Sequence, residues 1–241
     1  MKTVQLTNDK KVLVITSFNE GLYKEYAHRF TQSYNLSFDL KIYAEEQFSI
    51  DENYAVLELD KSLHDFVERN QHKTFEDYRG DAVRFSYKVY AVTQAALAFS
   101  NSYDILVWID ADSVFYKSFD LDFIQAHLYQ SDTMMTYLGR GDFYSECGFL
   151  LWNLKHPDAH DYFQEMKRMY DQDLVFLEKE QHDSYIWDVV RKKFEQVRGT
   201  KNLDIGDQQE GHVQARSILG GYYDHTKGAR KQSGKSPEAR I

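Results

Sequence analysis

Two aspartates one residue apart, Asp110 and Asp112, follow directly on the run Ile-Leu-Val-Trp-Ile. A bare Asp-x-Asp says little in a chain this rich in aspartate, and two more occur, at Asp120/Asp122 and Asp171/Asp173. Position separates the three. A run apolar at every position and too short for a helix reads as a strand buried on both faces. Only Asp110 is therefore delivered to the carboxyl edge of a sheet, where open α/β folds bind ligands. Two carboxylates side by side there repel unless a cation neutralises them. Hard divalent ions are commonly held by one or two carboxylates together with substrate phosphates. The pattern predicts a metal–phosphate site at Asp110 and Asp112, against the plain alternative of a turn-capping aspartate beside an exposed neighbour.

A second group lies near the other end, in Asp224-His225-Thr226-Lys227-Gly228-Ala229-Arg230-Lys231. An imidazole, a glycine three residues on and a lysine three further offer a ligand nitrogen, a close backbone approach and a phosphate-neutralising cation. Charge concentrates here too. The chain carries −9 overall, yet from His225 onward five Lys or Arg face one acid, giving +4 and leaving −13 for the rest. So acidic a body disfavours tracking along nucleic acid. A compact basic segment suits one diphosphate, or else a solvated tail.

These residues need a scaffold, and the 241-residue chain supplies one. Its 42% hydrophobic content, two prolines and 12 glycines indicate one continuous globular domain without a linker. Strands are predicted at residues 12–17, 38–43, 105–109, 133–138 and 149–153. Helices are predicted at 22–34, near 62–69, and at 81–100, 121–128, 158–170 and 183–194. Asp81 is the N-cap of the clearest helix, in which Ala82, Phe85, Val89, Val92 and Ala96 share a face. Residues 44–80 read as a polar, weakly periodic excursion over a site. Strands alternating with helices predict an α/β domain, with helices on both faces of a mostly parallel central sheet. No apolar run is long enough for a membrane span or a signal peptide, which predicts a cytoplasmic protein. The single cysteine, Cys147, excludes an internal disulfide and a cysteine zinc cage.

Taken together, IDADS after one apolar strand, ECGFLLWN after another and His-x-x-Gly-x-x-Lys near the C-terminus resemble a known family. They look like the DxD-containing GT-A-fold glycosyltransferases, nearest to the glycogenin-like and lipopolysaccharide galactosyltransferase-like group. The resemblance runs in order from Val12 to Lys235. It implies a Rossmann-like single domain over residues 1–241, a nucleotide-sugar donor, UDP-sugar by preference, and Mn²⁺ or Mg²⁺ held by Asp110, Asp112 and His225. Ala111, Gly228 and Lys231 would adjoin the diphosphate, with the basic segment 225–241 closing over it. Thr16, Ser17, Phe18 and Asn19 would receive the nucleoside, and Arg84 and Lys88 would be basic donor contacts. Glu146, Cys147 and Gly148 match a segment lining the donor sugar, and Asp183 sits where the family has an acidic sugar contact. Glu146 and Asp183 are thus the catalytic candidates, and retention of configuration is implied. Two departures stand out: Gln232 and Ser233 replace the family's Pro-Trp after the lysine, and Glu146 replaces a small amide.

The implied reaction moves a sugar to an acceptor hydroxyl, by default on a surface glycan or lipopolysaccharide. A hydroxymethylated DNA base is an alternative acceptor, and the only role left for nucleic acid. A different class, a nucleotidyltransferase or phosphate-ester enzyme, could use the same carboxylates, but Thr16–Glu20 lacks the glycine-rich loop it would need. A catalytically silent binding protein is a third class. Gly234-Lys235-Ser236 is not a P-loop, because Ala229 stands where the earlier glycine belongs. Cys147 reads as a packed residue with no evident partner, and Trp108 and Trp152 read as core.

Overall fold

The computed structural model describes residues 10–50 and 54–239. Arg240 of the basic segment, residues 1–9 of the expected domain and 51–53 of the polar excursion lie outside this range. The strands are β1 (Val12–Phe18), β2 (Asp39–Ala44), β3 (Ala55–Glu58), β4 (Ile105–Ile109), β5 (Ser113–Phe115), β6 (Met135–Arg140), β7 (Phe143–Asn153), β8 (Leu203–Asp204) and β9 (Tyr223–His225). Seven of them form one sheet in the order β3-β2-β1-β4-β7-β6-β8, and β5 pairs with β9 in a separate ribbon. Within the large sheet only β7 runs against the rest.

β4 lies centrally and is buried at every position, as its composition demands. Successive residues of a strand face opposite sides. Leu106 and Trp108 of β4 join Leu150 and Trp152 of β7 in one core layer, covered by helices Lys61–Asn70, Ala82–Phe99, Ala159–Asp171 and Asp183–Arg198. Ile105, Val107 and Ile109 join Phe149 and Leu151 in the other, under helical residues 20–33 and 121–128. The domain is thus α/β, with a mostly parallel sheet between two helical layers.

Several expectations need correction. Residues 44–80 hold more than the helix expected near 62–69, which forms as Lys61–Asn70: they also contain β3 and a short 3₁₀ turn. β3 is exposed at three of four positions, so no apolar alternation marks it. The strand expected at 149–153 begins six residues earlier, because Phe143–Gly148 pairs with β6 across a hairpin. The ribbon of β5 and β9 was not anticipated. Three-residue strands are too short to display a period.

Candidate active site

The backbone carries Asp110 past the end of β4. Its N–H donates to the Gly148 carbonyl at 2.9 Å, extending the β4–β7 pairing by one residue. A turn follows, closed by Ser113 N–H donating to the Asp110 carbonyl at 3.1 Å, and leads into β5. β5 then pairs with β9, setting Ser113 opposite His225. Thr226 secures the junction: its N–H and hydroxyl donate to the Asp112 carbonyl at 2.9 and 2.7 Å. The two sequence groups so meet at the carboxyl edge of the sheet. His225 Nε2 lies 3.0 Å from Asp112 Oδ1 and 3.4 Å from Asp110 Oδ2, and one donor atom from each residue falls within 4.8 Å of the others. Gly148 makes room for the ring, since a Cβ there would lie 2.4 Å from His225 Cε1.

Each aspartate has one oxygen engaged away from the convergence point. Lys88, 8% exposed on the Ala82–Phe99 helix, donates through Nζ to Asp110 Oδ1 at 2.9 Å and to the Cys147 carbonyl at 2.5 Å. Trp108 Nε1 donates to the same Oδ1 at 2.6 Å. Asp110 Oδ2 is thereby aimed at His225. On Asp112, Oδ2 takes the Lys231 ammonium at 3.1 Å, leaving Oδ1 for the imidazole. Further along, Glu146 accepts from Lys227, with Arg140 at 3.8 Å, and faces His225 Nδ1 at 3.8 Å. Asp183, first residue of its helix, sits 3.0 Å from both Lys88 Nζ and Cys147 Sγ.

This crowding shifts ionisation. Burial by itself would push the His225 imidazole down, but the charges of Asp112, Asp110 and Glu146 more than reverse it and raise its pKa to about 10. Burial likewise opposes ionisation of Asp110, yet Lys88 and His225 hold that carboxyl well below the usual range. Glu146 is also held below its usual range, as Lys227 outweighs the cost of burial. The point where Asp110, Asp112 and His225 converge demands positive charge. Two carboxylates and an imidazole, with no thiolate among them, fit a hard to borderline divalent cation.

The remaining expected residues lie on and just after β1, in the turn after β4, in the C-terminal segment and on the Ala82–Phe99 helix. Thr16, Ser17 and Phe18 end β1, and Asn19 caps the next helix by accepting from Leu22 N–H at 2.9 Å. The Ser17 hydroxyl and Asn19 amide both donate to Glu45, at 3.0 and 3.3 Å. Phe18 is fully buried against Tyr23 and Phe48. Ala111 is buried in the turn between β4 and β5. Gly228 adopts φ +65°, a left-handed conformation that favours glycine. Arg84 is exposed, with its guanidinium over the Phe85 ring, one turn from buried Lys88. Of the two expected donor contacts, only Lys88 thus touches a residue of the centre, Asp110. Cys147, read as lacking a partner, contacts Asp183, Ser184 and Lys88 through Sγ, and burial drives its thiol pKa well up. Trp108 is core, but it also orients Asp110.

Three contributors escaped the sequence reading. Lys227 sits inside the basic segment and grips Glu146. Tyr26 approaches from the first helix, where burial together with Asp112 and Asp110 pushes its phenol pKa up. Glu45 follows the last residue of β2 just as Asp110 follows β4, a placement that could have found it.

No family model matches the chain, and no curated protein does. Solved structures do. One, a glycosyltransferase involved in glycosylating the major capsid of PBCV-1, superposes with a TM-score of 0.51 over 93% of this chain and 98% of its own, at 13% identity. The chain has that glycosyltransferase's fold. A second match, the apo structure of the bifunctional glycosyltransferase WbbM, gives a TM-score of 0.46 at 15% identity; it covers 79% of this chain, which spans 38% of WbbM. Among the described residues no helix is long and apolar enough to cross a membrane.

Proposed function

We propose that this chain is a metal-dependent glycosyltransferase. On this reading it moves a sugar, with retention, from a nucleotide-diphosphate sugar, preferably a UDP-sugar, to an acceptor hydroxyl of a surface glycan or lipopolysaccharide. The observation that carries it is the convergence of Asp110, Asp112 and His225, ringed by Lys231 and Lys227, at the carboxyl edge of a sheet with a glycosyltransferase fold. Mn²⁺ or Mg²⁺ held by these three residues would act as a Lewis acid on the diphosphate.

The protein's own groups divide the remaining work. Breaking the anomeric bond leaves negative charge on the diphosphate and positive charge on the sugar ring. Lys231 and the backbone around Gly228 bind and orient the diphosphate as preorganised donors. Ser17, Asn19 and Glu45 cluster at the ends of β1 and β2, where the nucleoside is taken up. Glu146 is kept ionised by Lys227, so its role is to hold sugar hydroxyls and to stabilise the cationic ring, not to give up a proton. Asp183, fixed beside Lys88 and Cys147, positions the sugar. The basic segment from His225 onward covers the diphosphate.

The test is donor hydrolysis without acceptor, across UDP-glucose, UDP-galactose and other nucleotide sugars, with Mn²⁺, Mg²⁺ or EDTA. The expected result is slow, metal-dependent release of UDP from one donor. Silence across the panel, without binding of any nucleotide, would refute the reading.

A further inference from the structure

We propose that Tyr26 is a positioning residue for Lys231, whose ammonium it holds against Asp112 and toward the anion, with Arg29 fixing the backbone that carries that lysine. This rests on the reading of Lys231 as a diphosphate contact. Tyr26 lies in the first helix, in a single π turn, Tyr23–Ala27, set between α-helical turns. Such turns widen a helix locally and redirect its side chains, frequently at functional sites. Tyr26 is buried, and its ring lies over the Lys231 ammonium, with Nζ 4.3 Å from the centroid. The same Nζ is 3.1 Å from Asp112 Oδ2. One turn further along, the Arg29 guanidinium donates to the Lys231 carbonyl. It also packs beneath Gly234, where a Cβ would come within 2.9 Å of it.

The segment carrying Lys231 is thus fastened at three places. Thr226 binds the Asp112 carbonyl, and Ser236 N–H donates to Asp224 Oδ2 at 2.6 Å. Between them the chain leans on the first helix through Tyr26 and Arg29. Lysine is a compact charge on a flexible four-carbon stem, and unguided it samples many rotamers. A π face on one side and a carboxylate on the other restrict the ammonium to a narrow range before any anion arrives, and that is what preorganisation requires. The ring face is the working part of Tyr26, so phenylalanine should substitute for it and an aliphatic residue should not.

The experiment measures calorimetric binding of UDP, GDP, ADP and CDP with Mn²⁺ to wild type, Tyr26→Phe, Tyr26→Leu, Lys231→Ala and the Tyr26→Leu/Lys231→Ala double variant. For the diphosphate that binds, Tyr26→Phe is expected within twofold of wild type and Tyr26→Leu about tenfold weaker. In the Lys231→Ala background, Tyr26→Leu should cost nothing further, since the residue acts only through the lysine. Should Tyr26→Leu fail to melt cooperatively, Tyr26→Met, which also lacks the ring face, carries the same cycle with the same expected loss. An equal loss in both backgrounds, or wild-type affinity in Tyr26→Leu, overturns the inference while leaving the transferase reading intact. Failure of wild type to bind any of the four overturns that reading and this inference with it.

Discussion

Gly148→Ala adds one methyl group to the centre of the site. The new Cβ would stand 2.4 Å from His225 Cε1, 2.5 Å from Nδ1 and 3.2 Å from Nε2. Ordinary carbon contacts begin near 3.5 Å, so the ring must retreat by about 1 Å. The backbone at 148 cannot yield easily, because its carbonyl accepts the Asp110 N–H and anchors the β4–β7 ladder. His225 therefore moves, and it moves relative to Asp110 and Asp112. Metal coordination tolerates errors of about 0.2 Å, and altered outer-shell support alone costs about 10–100-fold in metal affinity. A displaced ligand should cost at least about 100-fold, together with about 1–3 kcal/mol of stability for overpacking. Mn²⁺ titration by calorimetry and urea denaturation read the two effects separately. In Gly148→Ala/His225→Ala the methyl group enters vacated space, so the overpacking cost should disappear while Mn²⁺ affinity stays low. A folded Gly148→Ala protein binding Mn²⁺ within twofold of wild type would refute the argument that the missing side chain sets the position of His225.

Asp112→Asn should abolish metal-dependent donor hydrolysis with the far-UV circular dichroism spectrum unchanged; full turnover would remove Asp112 from the metal site. Lys88→Met leaves Asp110 and Asp183 without their shared buried counter-ion, and urea denaturation should show a loss of about 3–5 kcal/mol; a loss under 1 kcal/mol would mean the lysine does not neutralise them. Glu45 is raised from 4.5 to about 7 by burial, against hydrogen bonds from Ser17 and Asn19. Its folded pKa exceeds its unfolded one, so its contribution to stability is full below about pH 4.5 and is lost as pH rises through about 7. Glu45→Gln should therefore gain on wild type by roughly 1–2 kcal/mol between pH 4.5 and 8, after discounting for partial exposure, and a pH-independent gap in urea midpoints would contradict this.

What could be read in the chain follows from where the information lies. β4 announces itself because a central strand must be apolar on both faces, and that same fact locates Asp110. Asp81 was legible as an N-cap because capping is local, and its carboxylate does accept the Arg84 N–H at 3.0 Å. Lys88 shows the limit. Its burial makes sense only once Asp110 and Asp183, distant in sequence, are known to share its ammonium. Glu45 and Tyr26 likewise gain meaning from strand order and from a π turn that no sequence period displays. His225 stood out by its spacing to Gly228 and Lys231 and by family resemblance, whereas the ribbon that delivers it did not stand out at all.

That ribbon also governs when the site comes into being. β5 stays unpaired until β9 has been made, more than a hundred residues later. Chains emerge N-terminus first, so a nascent chain reaching β8 has the strands of its main sheet, both aspartates and the Lys88 that pairs with Asp110, but neither His225 nor Lys231, the cations beside Asp112. The convergence of Asp110, Asp112 and His225 therefore forms only after the main sheet has its strands. A chain that has not yet made β9 thus holds Asp112 without a cationic partner.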